Sequence, residues 1–136
     1  MQAQLVQLPE ETTVKIFAVP GKEMHVVYAA SDIFVQPSLV PESFGRSIAE
    51  AQAMKRVVIA AAHGGACELI EEGKTGFLTP VGNAQALAEA LDKALSMRVE
   101  ERTQIGEAAC ANVRTHFTVQ KMCEKTLEFY QTFLKD

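Results

Sequence analysis

A run of five apolar residues, Val-Val-Ile-Ala-Ala at positions 57–61, constrains the fold more than any other part of the chain. The run does not alternate between apolar and polar residues, as a strand with one face in water would. Short unbroken apolar runs are typical of strands that are buried on both faces, and such strands belong to parallel sheets covered by helices. The run therefore predicts an α/β protein with an open parallel sheet.

Strand and helix signals alternate from residue 14 to about residue 95, which favours a Rossmann-like sheet with flanking helices. Beyond that point the pattern predicts only helices, over about 83–95, 99–113 and from about 118 onward. About four strands are predicted, whereas doubly wound nucleotide-binding folds usually have five or six. The predicted strands lie at 14–19, 33–35, 57–61 and 76–80, and the helices between them at about 24–30, 45–54 and 64–70.

The apolar positions of these helices predict which sides pack on the sheet. Leu87, Leu91 and Leu95 recur every four residues after Asn83, a good N-cap residue. In the helix over 45–54, Ile48 and Ala51 are predicted on one side and Gln52 on another. The final helix has its apolar residues on one face: Val119, Met122, Cys123, Tyr130, Phe133 and Leu134.

Composition excludes several classes of protein. The 136 residues suffice for one domain, and the 13 basic and 17 acidic residues give a net charge of −4. Because the lysines and arginines are scattered, no basic surface for nucleic acid is expected. The residues at the N-terminus do not form a basic region followed by an apolar one, so no signal peptide is expected, and no apolar stretch approaches the roughly 20 residues that cross a bilayer. We expect a cytoplasmic protein without a transmembrane segment.

The three cysteines do not indicate a disulfide framework or a metal site. Cys67, Cys110 and Cys123 are an odd number and show no C-x-x-C spacing. They are predicted to be small buried apolar residues rather than redox groups or metal ligands.

The segment 37–51 carries the chemistry, because it lies where a predicted strand gives way to a helix. Glu42 is predicted in the loop, and Glu50 about two turns inside the helix. The backbone N–H groups of Phe44, Gly45 and Arg46 are placed in the first turn, where unpaired donors and the helix dipole attract anions. Gly45 lets a phosphate approach the backbone closely. A diphosphate flanked by sugars fits this pattern; the alternative is a solvated loop with two exposed carboxylates.

The two glutamates, separated by seven residues that include Phe-Gly, resemble a motif of the group 1 (family 4) retaining glycosyltransferases. The similarity covers residues 13–95 closely, in the order of the family's C-terminal, donor-binding domain. The resemblance implies one half of a GT-B fold. The other segments that carry the resemblance are Tyr28-Ala-Ala-Ser-Asp-Ile-Phe-Val-Gln-Pro-Ser38, Glu50-Ala-Gln-Ala-Met54, His63-Gly64-Gly65, Glu68, Gly73, Thr75-Gly-Phe-Leu78 and Ala86-Leu-Ala-Glu-Ala-Leu91.

This resemblance also implies roles for the residues of the loop. Glu42 would bind hydroxyls of the donor sugar and is the candidate catalytic residue, while Glu50 would bind the ribose hydroxyls of the nucleotide. Phe44, Gly45 and Arg46 would hold the diphosphate, with Ser43 in the same donor-binding loop. No cofactor and no metal are expected, since the nucleoside diphosphate (NDP) sugar is the substrate.

Several residues leave alternatives open. The Arg46 guanidinium either reaches a phosphate or forms a surface salt bridge. Gly64 and Gly65 either form a second loop near the ligand or only a turn. His63 is either a general acid or, as we favour, solvated or structurally hydrogen-bonded. Lys55 stands near the helix end where relatives have a glycine, so the helix lacks an easy left-handed cap.

The resemblance also implies partners and limits. The family's acceptor-binding N-terminal domain and basic Arg/Lys pair are not recognised in this sequence, so the 136 residues are expected to form a single truncated domain, with 1–13 irregular. Such a domain would be inactive alone as a hexosyltransferase of polysaccharide, lipopolysaccharide or glycolipid synthesis. The full enzyme would be either cytoplasmic or peripheral to the inner face of the membrane. The alternatives are a non-catalytic nucleotide-binding or interaction module, and a GT-B relative such as a sugar-nucleotide epimerase, which the motif disfavours. Homo-oligomers are expected through the final helix and the strand edge at 14–19.

Overall fold

The computed structural model describes Lys15 and residues 18–134. The first element of the described residues is a single 3-10 turn at Gly21–Glu23, and helices and strands then follow in alternation as far as the helix at Ala84–Ser96. They are α1 (Met24–Ala30), β1 (Ile33–Gln36), α2 (Arg46–Ala53), β2 (Val57–Ala61), α3 (Ala66–Leu69), β3 (Phe77–Thr79), α4 (Ala84–Ser96), α5 (Val99–His116) and α6 (Val119–Phe133).

The three strands of the described residues form one parallel sheet in the order β1-β2-β3. Ile33 pairs with Val57 and Ile59 with Phe77, so β2 is the central strand. Every residue of β2 is buried, as the unbroken apolar run predicts. The predicted α/β fold with a parallel sheet is therefore confirmed.

Helices cover both faces of this sheet. On one face, Val58 and Ala60 of β2 pack with Tyr28, Ile48 and Leu69, which come from α1, α2 and α3. On the other face, the alternate residues of β2 pack with Phe77, α4 and α5. Because helices cover both faces, the backbone groups of β2 find their partners mainly in the two neighbouring strands.

The fourth predicted strand, at 14–19, is not part of the described sheet. Residues 14, 16 and 17 lie outside the described residues, and Lys15, Ala18 and Val19 are in no strand. The region 1–13, predicted to be irregular, lies outside the described residues as well.

Two predictions about helix faces are wrong. Leu95 is 62% exposed and Ala94 is buried in its place, because a spacing of four residues drifts around a helix that has 3.6 residues per turn. Gln52 is buried like Ile48 and Ala51, since its Nε2 donates to the carbonyl oxygens of Leu69 (3.2 Å) and Thr75 (3.1 Å).

The prediction of three buried cysteines is wrong for two of them. Cys110 is buried, whereas Cys67 and Cys123 are exposed. Cys67 lies in the short helix α3 and Cys123 in α6, a helix with no buried residue.

Candidate functional site

The candidate site is built around the N-terminus of α2, at the carboxyl end of β1. Helix α2 begins at Arg46, and Gly45 is its N-cap residue with φ +83° and ψ +53°. Phe44 precedes the helix, which corrects its predicted place in the first turn. Gly45 has no side chain, and no side chain caps this helix. The N–H groups at this end are therefore uncapped and favour an anion.

Gly45 is required here for a steric reason as well. A Cβ at this position would lie 3.2 Å from the Ile48 side chain and 3.3 Å from that of Leu69. Its backbone is also in the left-handed region, which other residues adopt only at a cost. The turn into α2 thus depends on glycine.

Glu42 is held by a hydrogen-bonded chain that links β1 to α2. Ser47 Oγ, in the first turn of α2, donates to Gln36 Oε1 at 2.5 Å. Gln36 Nε2, at the end of β1, donates to Glu42 Oε1 at 2.7 Å. Because Ser47 occupies the amide oxygen, the amide nitrogen of Gln36 faces the carboxylate. The loop glutamate is thereby held beside the start of α2.

Glu50 is held by two donors on its two oxygens. Tyr28 Oη donates to Oε2 at 3.1 Å, and Arg46 Nε donates to Oε1 at 2.7 Å. Glu50 is the fifth residue of α2, so it lies in the second turn and closer to the helix start than predicted. A groove of about 280 Å³ lies beside it, lined by residues that include His25, Tyr28 and Met54.

The Arg46 guanidinium forms the surface salt bridge that was one of its two predicted roles. Its side chain is 86% exposed and that of Glu50 is 36% exposed. Ion pairs in such solvent-exposed settings contribute little to stability. The other predicted role, contact with a phosphate, stays a prediction.

Burial and Glu50 together change the acidity of Tyr28. The pKa of Tyr28 is raised to about 12, first because burial disfavours the phenolate and then because the hydroxyl donates to the Glu50 carboxylate. The Tyr28 hydroxyl is therefore protonated at neutral pH and acts as the donor in this contact.

Gly64 and Gly65 contact the backbone of the loop that contains Glu42. The Gly65 N–H donates to the Glu42 carbonyl at 2.9 Å. A Cβ on Gly64 would lie 2.4 Å from the Glu42 carbonyl oxygen, and one on Gly65 would lie 2.1 Å from that of Phe44. The glycine pair thus supports the site loop directly, and Gly64, with φ +53°, also makes a turn. A contact of these glycines with ligand stays a prediction.

His63 makes the structural hydrogen bond that we favour for it. Its Nε2 lies 2.8 Å from the Ser38 carbonyl oxygen, which can only accept, so Nε2 carries the proton. Nδ1 is buried and has no partner within the described residues. His63 therefore ties β2 to the loop after β1.

Neither Gln36 nor the hydroxyl of Tyr28 is predicted as part of the site. In the sequence, Tyr28 stands only at the start of a block that resembles the family, although a buried tyrosine hydroxyl usually finds a partner, which is a usable signal. Gln36 is a polar residue that ends an apolar strand at the edge where ligands bind in such sheets. The buried hydroxyl and the polar strand end mark Tyr28 and Gln36 as candidates, but they do not identify which carboxylate each side chain contacts.

Among the described residues, no group of three or more His, Cys, Asp and Glu side chains could hold a metal ion. Independence from metal stays a prediction. No helix in the described part of the chain combines the length and apolar character needed to cross a membrane.

Comparison with known proteins supports the resemblance. Residues 2–111 match the family described as Glycosyl transferases group 1. The chain belongs to this family. The predicted recognition as a group 1 glycosyltransferase domain is thus confirmed.

Solved structures of group 1 and other glycosyltransferases share the fold. A glycosyltransferase from Rickettsia africae is 40% identical with a TM-score of 0.80, over 90% of this chain and 32% of that one. HepE of Anabaena, solved in complex with UDP-glucose, is 34% identical with a TM-score of 0.70, over 78% of this chain and 29% of that one.

A third solved structure shows which part of a group 1 protein this chain matches. It is the C-terminal domain of the group 1 family protein LpcC from Francisella tularensis, 30% identical with a TM-score of 0.67, over 77% of this chain and 53% of that domain's chain. The predicted correspondence to the C-terminal half of a GT-B glycosyltransferase is confirmed. The chain spans 15 to 31% of the length of eight curated relatives that it matches.

Proposed function

We propose that this chain is the donor-binding domain of a glycosyltransferase and that it binds a nucleoside diphosphate sugar at the N-terminus of α2. One observation carries the proposal: Glu42 and Glu50 are both held in place around an uncapped helix start at the carboxyl end of β1. Carboxylates accept hydrogen bonds from sugar hydroxyls, while a helix start favours phosphate. HepE, which shares the fold, binds UDP-glucose.

Each part of the site has a proposed task. The N–H groups at the start of α2 bind the diphosphate, with Ser43, Phe44, Gly45 and Arg46 forming its loop. Glu50 accepts hydrogen bonds from the ribose hydroxyls, with the groove beside it giving room for the nucleoside. Glu42 accepts hydrogen bonds from the donor sugar and is the catalytic candidate.

The same geometry supports a contribution to the reaction. When the bond between the sugar and the diphosphate breaks, negative charge develops on the leaving diphosphate. Fixed N–H dipoles aimed at such a charge stabilise the transition state more than the ground state. Transfer to an acceptor is proposed for this domain together with an acceptor-binding domain or chain, with no metal required.

A thermal-shift titration tests donor binding. The purified chain is titrated with UDP, GDP, ADP and their glucose conjugates. A ligand at a hundred times its Kd adds about 2.7 kcal/mol of stability, which raises the melting temperature of a domain of this size by on the order of 10 °C. We expect one nucleotide family to produce this shift.

Variants of the two glutamates test how much each carboxylate contributes to the rise in melting temperature. Glu50→Gln is expected to lose most of the shift with the nucleoside diphosphate, whereas Glu42→Gln is expected to lose only the additional shift from the attached sugar. Glu89→Gln, a change at an exposed residue of α4, is the matched control and keeps the whole shift. A folded wild-type chain that responds to none of the ligands would contradict donor binding and favour the interaction module.

A further inference from the structure

Tyr28 joins the buried core to the edge of the candidate site. Its side chain is 2% exposed and belongs to the core cluster that includes Ile48 and Leu69. The ring meets that of Phe34 edge-on, with centroids 5.4 Å apart and planes at 79°. A ring packed in this way holds one position, so its hydroxyl is a fixed donor.

The other partner of Glu50 is not fixed in this way. The Arg46 side chain is 86% exposed, and long charged side chains in water lose conformational entropy when they hold one geometry. The two donors occupy different oxygens of the carboxylate, Tyr28 on Oε2 and Arg46 on Oε1. Of the two contacts, the one to Tyr28 ties Glu50 to the rigid part of the molecule.

We propose that Tyr28 is a positioning residue, whose hydroxyl holds the Glu50 carboxylate in the orientation that accepts hydrogen bonds from the ribose hydroxyls of the donor. This inference rests on the proposed function, since it assigns Tyr28 to the nucleoside part of that site. A carboxylate oxygen that accepts one bond from Tyr28 keeps capacity for a second donor. Without the hydroxyl, Glu50 is left with the mobile Arg46, and binding of the ribose must order the carboxylate.

Isothermal titration calorimetry with two ligands tests the proposal. Tyr28→Phe keeps the buried ring and removes the hydroxyl. UDP carries both ribose hydroxyls, and 2′,3′-dideoxyuridine diphosphate carries neither. Tyr130→Phe is the matched control, because Tyr130 is the other tyrosine of the chain and lies in α6, 60% exposed. Thermal melting of each variant without ligand monitors the fold.

Tyr28→Phe is expected to weaken UDP binding about tenfold, because ligand binding must then order the Glu50 carboxylate. It is expected to leave binding of the dideoxy ligand within about twofold, and Tyr130→Phe is expected to leave both affinities unchanged. Equal losses for both ligands would overturn the proposal, because a merely structural role affects both alike. Unchanged UDP affinity in Tyr28→Phe would overturn it as well.

A double-mutant cycle keeps the test decisive if Tyr28→Phe also lowers stability. In a Glu50→Ala background, Tyr28→Phe is expected to have no further effect on UDP affinity, since Tyr28 acts through Glu50. Additive losses would overturn the positioning role while leaving the proposed function intact. If the wild-type chain binds GDP or ADP instead of UDP, the same comparison is made with that nucleotide and its 2′,3′-dideoxy form. A wild-type chain that binds none of the three nucleotides would contradict the proposed function, and this inference with it.

Discussion

Each of the two glutamates is held by a side chain from another element. Tyr28 of α1 donates to Glu50 of α2, and Gln36 of β1 donates to Glu42 in the loop. A carboxylate with a donor from a neighbouring element has fewer orientations than one in water, so less entropy is lost when a ligand binds. At the scale of single residues, the site is defined by these pairs rather than by the glutamates alone.

The pKa of Tyr28 predicts how stability depends on pH. Its pKa of about 12 in the folded chain lies above the ordinary value of 10, so the folded form holds this proton more tightly than the unfolded form does. The stabilisation is complete below pH 10 and is lost as the pH rises through about 12. We expect the free energy of unfolding to fall in this window, and to fall less in Tyr28→Phe.

Urea denaturation at about pH 9 and about pH 11 measures this difference. The Tyr130→Phe variant serves as the control and is expected to follow the wild type. Identical pH dependence in the wild type and in Tyr28→Phe would show that the Tyr28 proton is not linked to folding.

Among the elements, α2 has a residue with positive φ at each end, but only one of the two is a glycine. Its N-terminus has a glycine with positive φ, as the turn requires. Its C-terminus ends in a Schellman motif, in which the N–H of Lys55 donates to the Gln52 carbonyl and that of Arg56 to the Ala51 carbonyl. Lys55 has φ +60°, so a residue with a Cβ occupies the position where glycine is preferred. The glycine that the sequence lacks at this helix end is thus replaced by a lysine in the left-handed conformation.

Lys55→Gly is expected to stabilise the domain by about 0.5–1 kcal/mol. Glycine removes the strain of the left-handed conformation, which costs about 1–2 kcal/mol for other residues, and gives back part of this gain because the unfolded chain becomes more flexible. It also loses the exposed pair between Lys55 Nζ and Glu107, at 3.4 Å, which contributes little. Chemical denaturation provides the measurement.

Lys55→Ala separates these effects, because it removes the ion pair and keeps the strained backbone. This variant is expected to be no more stable than the wild type. If alanine and glycine stabilised the domain equally, the backbone conformation would not be the cause.

At the scale of the whole molecule, α6 is the element that the domain leaves exposed. None of its residues is buried, and large apolar side chains lie on its surface. Helices with an exposed apolar side usually mark contact surfaces. The exposed apolar residues are Val119, Met122, Leu127, Phe129, Tyr130 and Phe133, followed by Leu134 just after the helix.

The exposed side of α6 predicts self-association of the isolated chain. We expect its mass in light scattering to rise above 14.8 kDa as concentration increases, because pairing removes apolar surface from water. A variant with Phe129→Gln and Phe133→Gln is expected to stay monomeric. Lys125→Gln with Glu128→Gln alters the same helix at charged positions and is expected to associate like the wild type.

A wild-type chain that stays monomeric at high concentration would contradict this prediction. Equal association of the phenylalanine variant and the wild type would place the contact outside α6.

Much of the fold is predictable because its signals are local. The apolar run at 57–61 and the N-cap at Asn83 each act on their own neighbours, and β2 and α4 form where these signals predict. The predicted positions of Leu95 and Gln52 are wrong because the burial of these side chains is not set by their neighbours in the chain. Their burial depends on which side of the helix faces the sheet, and this is decided by the elements that pack there.

The parallel α/β architecture follows from the amino-acid sequence, because apolar burial and turn chemistry depend on residues close together in the chain, and the resemblance adds the family and the segment that contains the candidate site. Which polar groups meet follows instead from the packing of segments that are distant in the chain. Tyr28 and Glu50 are 22 positions apart, and the glycines at 64 and 65 contact a loop some 20 residues earlier. Such contacts depend on how α1, α2 and β2 pack together, which no spacing within one element specifies.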